Sequence, residues 1–292
     1  MNDGSSDARP PTVAGSGADV LEVQGVTVRF GGVTALDDVS FTAPGRQVTG
    51  IIGPNGAGKT TLLNVLCCFV RPDAGRLRFG GAELKRLRPH QLASLGIART
   101  LQGIGLFRHL SVLENVMVGG EHGGGQHGGR EHGGGQHGGG QHQVRAGFWS
   151  ALGGLPAADR RERLLRARAL EALDRVGAPG LADRMPDQLA YGVRKRVALA
   201  RAVVGRPRLL LLDEPASGLS ETELDGLGDL ITSLAADASV VVVEHRMDLM
   251  MSVCDSIVVL DFGRVIAAGP PDQVQADPAV TTAYLGAEDT DE

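Results

Sequence analysis

The chain has 292 residues, 42% of them hydrophobic and 22% charged, with 29 Lys and Arg against 34 Asp and Glu for a net charge of −5. That length suits one large domain or two small ones around a core of ordinary size, and nothing is basic enough to suggest a dedicated nucleic-acid binder. Residues 1–19, 119–143 and 288–292 together carry −7, which leaves the other 243 residues at +2.

Residues 1–19 hold Ser, Gly, Pro and Asp without an apolar stretch. They are expected to be a disordered tail rather than a secretory signal. From Val20 the pattern turns strand-like: Leu21 and Val23, then Val26, Val28 and Phe30 after a reset at Gly25. Val48 to Ile52 is a short apolar run, and Leu77 with Phe79 suggests a half-buried strand. Leu209 to Leu212 and Val240 to Val243 are continuous apolar runs, which suit parallel strands buried on both faces. Helical patterns lie between the runs, so the alternation predicts an α/β fold. Over 159–176, Leu165, Ala169, Leu173 and Val176 fall on one face of an amphipathic helix. The arginines at 160, 161, 163, 166 and 168 mostly lie elsewhere, as a solvated face or a surface near lipid head groups.

Residues 121–142 form a five-residue repeat that carries His122, His127, His132, His137 and His142. Such a tract buries too little surface to offset its ordering entropy, so it is expected to be a flexible insertion. A duplication product without a role and a metal-binding tract are the two readings. Cys67, Cys68 and Cys254 form neither a CxxC pair nor a disulfide framework, and packing is their expected role. No apolar run approaches a membrane span of about 20 residues. The protein is expected to be cytosolic, or attached to a membrane through partners.

Residues 53–60, Gly-Pro-Asn-Gly-Ala-Gly-Lys-Thr, fit the phosphate-loop pattern between a strand and a helical stretch that begins at Thr61. Gly56 and Gly58 let backbone N–H groups curl around phosphate oxygens, and the helix N-terminus adds its dipole. Lys59 can reach the β- and γ-phosphates, and the Thr60 hydroxyl can ligate Mg²⁺. Leu209 to Leu212 would lift Asp213 and Glu214 to the C-terminal end of a strand, where parallel sheets bind ligands. Asp213 would hold Mg²⁺, directly or through water, and Glu214 would polarise the attacking water.

Further motifs occur in the order found in ATP-binding cassette proteins, and the chain resembles the ATPase subunit of that transporter superfamily over about residues 20–286. Phe30 sits where the family stacks an aromatic on adenine, and Gln102 of Arg-Thr-Leu-Gln matches the glutamine that joins the ATPase core to the helical subdomain and reaches the metal. Ala190 and Gly192 occupy the signature, Ser217 to Ser220 the dimer-communication loop, and His245 the position that contacts the γ-phosphate. The resemblance implies a P-loop core with a mainly parallel sheet, an N-terminal antiparallel β subdomain and an inserted helical subdomain over about 95–205. The insertion would span 119–143, and 287–292 would be an acidic tail. It also implies a cradle for ATP and Mg²⁺ made of Phe30, Gly53, Asn55, Gly56, Gly58, Lys59, Thr60, Thr61, Gln102, Ala190 and Gly192. Thr60, Gln102 and Asp213 would serve the metal, and Glu214, His245 and Lys59 the chemistry.

The signature departs from Leu-Ser-Gly-Gly-Gln: Ala190, Tyr191 and Val193 replace Ser, Gly and Gln, and Ser220 replaces the usual aspartate of the communication loop. Loss of the serine hydroxyl is expected to weaken transition-state stabilisation by about 2–3 kcal/mol. A finer resemblance, to importer ATPases for branched-chain and other hydrophobic amino acids, rests on Phe30 to Leu36, Gly105 to Val116, Tyr191-Gly192 and the stretch from Glu244 to Gly286. It implies two membrane permeases, a second ATPase subunit (the same or different), a separate substrate-binding protein, and a peripheral place on the cytoplasmic face of the plasma membrane. Urea or short amides are alternative cargoes. A soluble cassette of translation or DNA repair is a second class, which a single phosphate loop and the lack of a heptad run argue against. A regulatory module that no longer hydrolyses ATP is a third; Glu214 and His245 oppose it and Ala190 favours it.

Overall fold

The computed structural model describes residues 20–85, 87–100, 103–120 and 156–288. The expected tail, the histidine repeat and Gln102 lie outside them. Strands β1 (Leu21–Phe30) and β2 (Val33–Ala43) form a hairpin. Strand β3 (Val48–Ile52) leads through the phosphate loop into helix α1 (Lys59–Leu66). Strands β4 (Ala74–Phe79) and β5 (Ala82–Glu83) then complete an antiparallel sheet in the order β2-β1-β4-β5. The reset at Gly25 is a bulge: β1 pairs Val23 with Phe41 but Val26 with Val39.

The second sheet takes its strands from across the chain. It contains β6 (Ile97–Arg99), β7 (Leu209–Asp213), β8 (Ser239–Val243), β9 (Ser256–Asp261) and β10 (Arg264–Gly269), in the order β10-β9-β3-β8-β7-β6. The inner pairs are parallel and β10 closes one edge antiparallel. All residues of β3, β7 and β8 are buried. Alternate residues serve two cores: Leu210, Leu212, Val240 and Val242 face one, and Leu209, Leu211, Val241 and Val243 the other. This two-sided burial is the physical reason for the continuous apolar runs.

Helices α2 (Val112–Gly120), α3 (Pro156–Arg175) and α4 (Tyr191–Val203) pack together. Ala169, Leu173 and Val176 are buried and Leu165 is partly buried, while Arg160, Arg161, Arg163, Arg166 and Arg168 are exposed. Strand β6, near the expected start of the helical subdomain at about residue 95, is hydrogen-bonded into the central sheet beside β7. Three residues are too few to show a strand period, so only the pairing reveals it. Helices α5 (Glu221–Ala235), α6 (Met247–Val253), α7 (Pro271–Gln275) and α8 (Pro278–Glu288) complete the fold. Helix α8 extends two residues into the expected acidic tail. Cys67 and Cys254 are buried, and burial pushes their thiols up to about 11 and about 12. Among the described residues no helix is long and apolar enough to cross a membrane.

Candidate functional site

Strands β6, β7, β8 and β3 are parallel neighbours, so the segments that follow them emerge along one edge of the sheet. Those segments are Thr100, Asp213-Glu214, Glu244-His245 and Gly53–Gly58. Sheet order thus gathers four distant stretches at the edge where such sheets bind ligands.

Gly58 caps α1 with φ 100, a left-handed value, and a Cβ there would lie 2.7 Å from the Ala35 carbonyl oxygen. A side chain at 58 would therefore push the loop off β2. Asn55, Gly56 and Thr60 are exposed, and Thr61 is half-buried. The α1 N-terminus carries no side-chain cap, so its first N–H groups remain for an anion. Lys59 Nζ donates to the carbonyls of Gly53 and Pro54 at 2.6 and 2.8 Å. Burial lowers the Lys59 pKa, and attraction to Glu214 works against that. Phe30 ends β1 with 53% of its surface exposed, ready for a flat ligand.

Asp213 is buried, and its Oδ2 accepts from Arg99 Nη2 at 2.9 Å. Arg99 also donates to Asn64 Oδ1 at 3.2 Å and lies over the Phe69 ring. The Asp213 N–H donates to Thr100 Oγ1 at 3.1 Å. Glu214 has φ 44, a left-handed value for a residue with a Cβ, and its N–H donates to the Val243 carbonyl at 2.9 Å. Strain of this kind gathers at functional sites. The His245 side chain is 60% exposed just beyond β8, with Nδ1 3.5 Å from Glu244 Oε2. Thr60 and Asp213 offer oxygen donors, the hard type that suits Mg²⁺ beside phosphate oxygens.

Ala190 is the N-cap of α4 and, lacking a polar side chain, makes no capping bond. Gly192 lies in the first turn, where a Cβ would collide with the Glu223 carboxylate. The Ser220 N–H and hydroxyl both donate to Glu223 Oε2, at 2.9 and 2.7 Å, and so start α5 with a capping box. Within one chain this first turn of α4 and the phosphate loop are separate elements.

Sequence reasoning missed several residues here. Glu244 is fully buried; its Oε1 accepts the Ala216 N–H at 2.6 Å and its Oε2 the His245 N–H at 3.0 Å. It therefore ties the loop after β7 to the His245 backbone. Arg99 and Lys195 engage Asp213 and the Glu214 carbonyl. Tyr284 on α8 has a buried hydroxyl with no ordinary partner among the described residues; burial raises its pKa, against the pull of the nearby Gly53 amide. The Val-Glu-His run itself was the available signal for Glu244. The others are long-range pairings that spacing does not reveal.

Residues 36–217 match the family model described as ABC transporter, and residues 264–290 match the one described as branched-chain amino acid ATP-binding cassette transporter. The chain is 39% identical over 269 residues to the high-affinity branched-chain amino acid transport ATP-binding protein BraF of Pseudomonas aeruginosa, covering 91% of this chain and 98% of that protein. It is 35% identical to LivG of Escherichia coli K12, a protein of the same description, with the same coverage. A crystal structure of a nucleotide-free ATP-binding cassette from an ABC transporter superposes with a TM-score of 0.74 at 27% identity, covering 91% of this chain and 98% of that one.

Proposed function

The chain belongs to the ABC transporter family as an ATP-hydrolysing subunit, and from that premise we propose that it powers an importer of branched-chain or other hydrophobic amino acids. Likeness over 98% of the length of two such subunits supports the cargo class. The mechanism rests on one observation above all: sheet order brings Gly53–Thr60, Asp213-Glu214 and His245 to one edge.

Backbone N–H groups of the phosphate loop and the α1 N-terminus receive the phosphates. Lys59 exchanges its bonds to Gly53 and Pro54 for the β- and γ-oxygens, while Phe30 stacks on adenine. Thr60 and Asp213, with Gln102, would hold Mg²⁺, which neutralises charge on the β- and γ-oxygens when bound. Glu214 takes the proton of the attacking water as its oxygen bonds to the γ-phosphorus. The bond to the β-phosphate oxygen breaks, leaving ADP and phosphate. His245 contacts the γ-phosphate.

A second ATPase subunit completes each site with the first turn of α4, through the Gly192 backbone. Ala190 brings no hydroxyl, so the site it completes turns over more slowly. Two permeases convert closure and reopening into transport, a separate binding protein delivers the cargo, and the subunit sits peripherally on the cytoplasmic face of the membrane. The ATPase domain spans 20–286, with 119–143 as an insertion.

Glu214→Gln in the assembled complex tests this reading. Hydrolysis should fall about 10²- to 10⁴-fold, the usual contribution of a general base, with ATP binding retained. Uptake of labelled leucine should fall with it. Full hydrolysis by the variant would refute the assignment.

A further inference from the structure

We propose that Lys195 is a positioning residue that locks the Glu214 backbone to the first turn of α4, so that the ATP contacted by α4 controls the carboxylate facing the other ATP. This rests on the reading of Glu214 as general base and of α4 as the partner-facing signature.

Lys195 lies one turn into α4, and its Nζ donates to the carbonyls of Glu214 and Pro215 at 3.2 and 3.0 Å. One ammonium group spanning two successive carbonyls fixes the orientation of the peptide between them. That peptide follows the left-handed φ of Glu214, a conformation that costs about 1–3 kcal/mol and persists only where the surroundings hold it. The Val243 carbonyl holds the Glu214 N–H from one side, and Lys195 holds the carbonyl from the other. Lys195 is partly buried; desolvation lowers its pKa, while attraction to Glu244 and Glu214 raises it.

Two further contacts make the grip a unit. The Tyr191 ring lies against Gly218, where a Cβ would stand 2.9 Å from its Cε1, and Gly218 has φ 73. Gly192 lies against the Glu223 carboxylate that caps α5. Residues 191, 192 and 195 thus engage Gly218, Glu223 and the 214–215 peptide. The lysine side chain also runs under the Tyr191 ring, with Nζ 5.5 Å from its centroid.

Nearby packing is not continuous. A cavity of about 60 Å³ lies between α4, α5 and the loop after β6, lined by Thr100, Lys195, Leu199, Leu212, Leu219 and Leu227 among others. It has room for a few waters, so it transmits little force. A displacement of the α4 N-terminus therefore reaches Glu214 through Lys195. When α4 loses its phosphate, the 214–215 peptide is released and Glu214 can leave its strained position. The tyrosine in place of the usual signature glycine becomes part of this device: it covers Gly218 and flanks the lysine.

The test compares Lys195→Met and Lys195→Arg in the assembled complex, each also combined with Glu214→Gln. For Lys195→Met the expected result is a kcat about 10- to 100-fold lower with KM for ATP within about threefold, the pattern of a group felt only in the transition state. Lys195→Arg keeps donors at the site and should recover most of kcat. In the Glu214→Gln background, Lys195→Met should still form an ATP-held ATPase dimer, because the signature contact is intact. Unchanged kcat, a loss carried by KM, or no recovery with arginine would overturn the proposal. Loss of the ATP-held dimer with a lower Tm would assign Lys195 to folding of α4 and overturn it as well. Full turnover by Glu214→Gln alone would remove the general-base reading, a result distinct from any of these.

Discussion

The phosphate loop grows from β3, a strand whose five residues are all buried between two parallel neighbours. The proposed signature instead sits on the first turn of α4, where Tyr191, Gly192 and Lys195 meet Gly218, Glu223 and the 214–215 peptide. One half of the proposed ATP cradle is thus set by backbone and core, the other by a few side-chain contacts beside a cavity. Substitutions in the first half should threaten folding as well as chemistry, whereas those in the second should tune the rate.

The largest expected effect tests the sheet side. Arg99 pairs with Asp213 where both side chains are nearly buried, at 14% and 4% exposure. Arg99→Met would leave the Asp213 carboxylate without its cation in the core. Removing one partner of a buried pair costs about 3–5 kcal/mol. Urea unfolding of the variant should show that loss in the midpoint with little change in slope. An unchanged midpoint would mean that water already screens the pair, and the contrast between the halves would weaken.

The same contrast explains what was legible in the sequence. The phosphate loop chemistry needs Gly56, Gly58, Lys59 and Thr60 in one contiguous run, so spacing alone exposes it. Likewise Leu209 to Asp213 announces a buried strand ending in a carboxylate. Arg99 meets Asp213 across 114 residues and Ala216 meets Glu244 across 28, and no periodicity encodes such pairs. β6 was hidden for the same reason: only its pairing with β7 makes three residues a strand. The proposed signature is read from motif order and likeness, whereas the contact between Tyr191 and Gly218 exists only in the fold.

A middle-sized effect tests the helix side. Ala190→Ser adds a hydroxyl at the α4 N-cap, a position that makes no side-chain capping bond. Recovering one hydrogen bond to a charged phosphate is worth about 1.5–3 kcal/mol, so kcat should rise about tenfold or more. Stability should rise only slightly, through the new cap. Steady-state hydrolysis by the assembled complex measures it. A rate that stays level would show that the Gly192 backbone already suffices.

The smallest effect concerns an ion pair that belongs to neither half. Arg246 Nη2 donates to Asp248 Oδ2 at 2.6 Å just beyond His245, with the Asp248 side chain 63% exposed. Hydrogen bonds from Arg246 above all hold the Asp248 carboxyl down at about 2, below its ordinary 3.8. A depressed carboxylate stabilises the fold above its unfolded pKa, and that contribution disappears as pH falls through the folded value. The difference in Tm between the wild type and Asp248→Asn should therefore be constant at neutral pH and shrink between about 4 and about 2. Exposure and screening keep it to about 2 °C or less, and 1 M salt should reduce it further. The buried Arg99–Asp213 pair should resist the same salt. Equal salt sensitivity of the two pairs would show that burial is not what separates the sheet side from the surface.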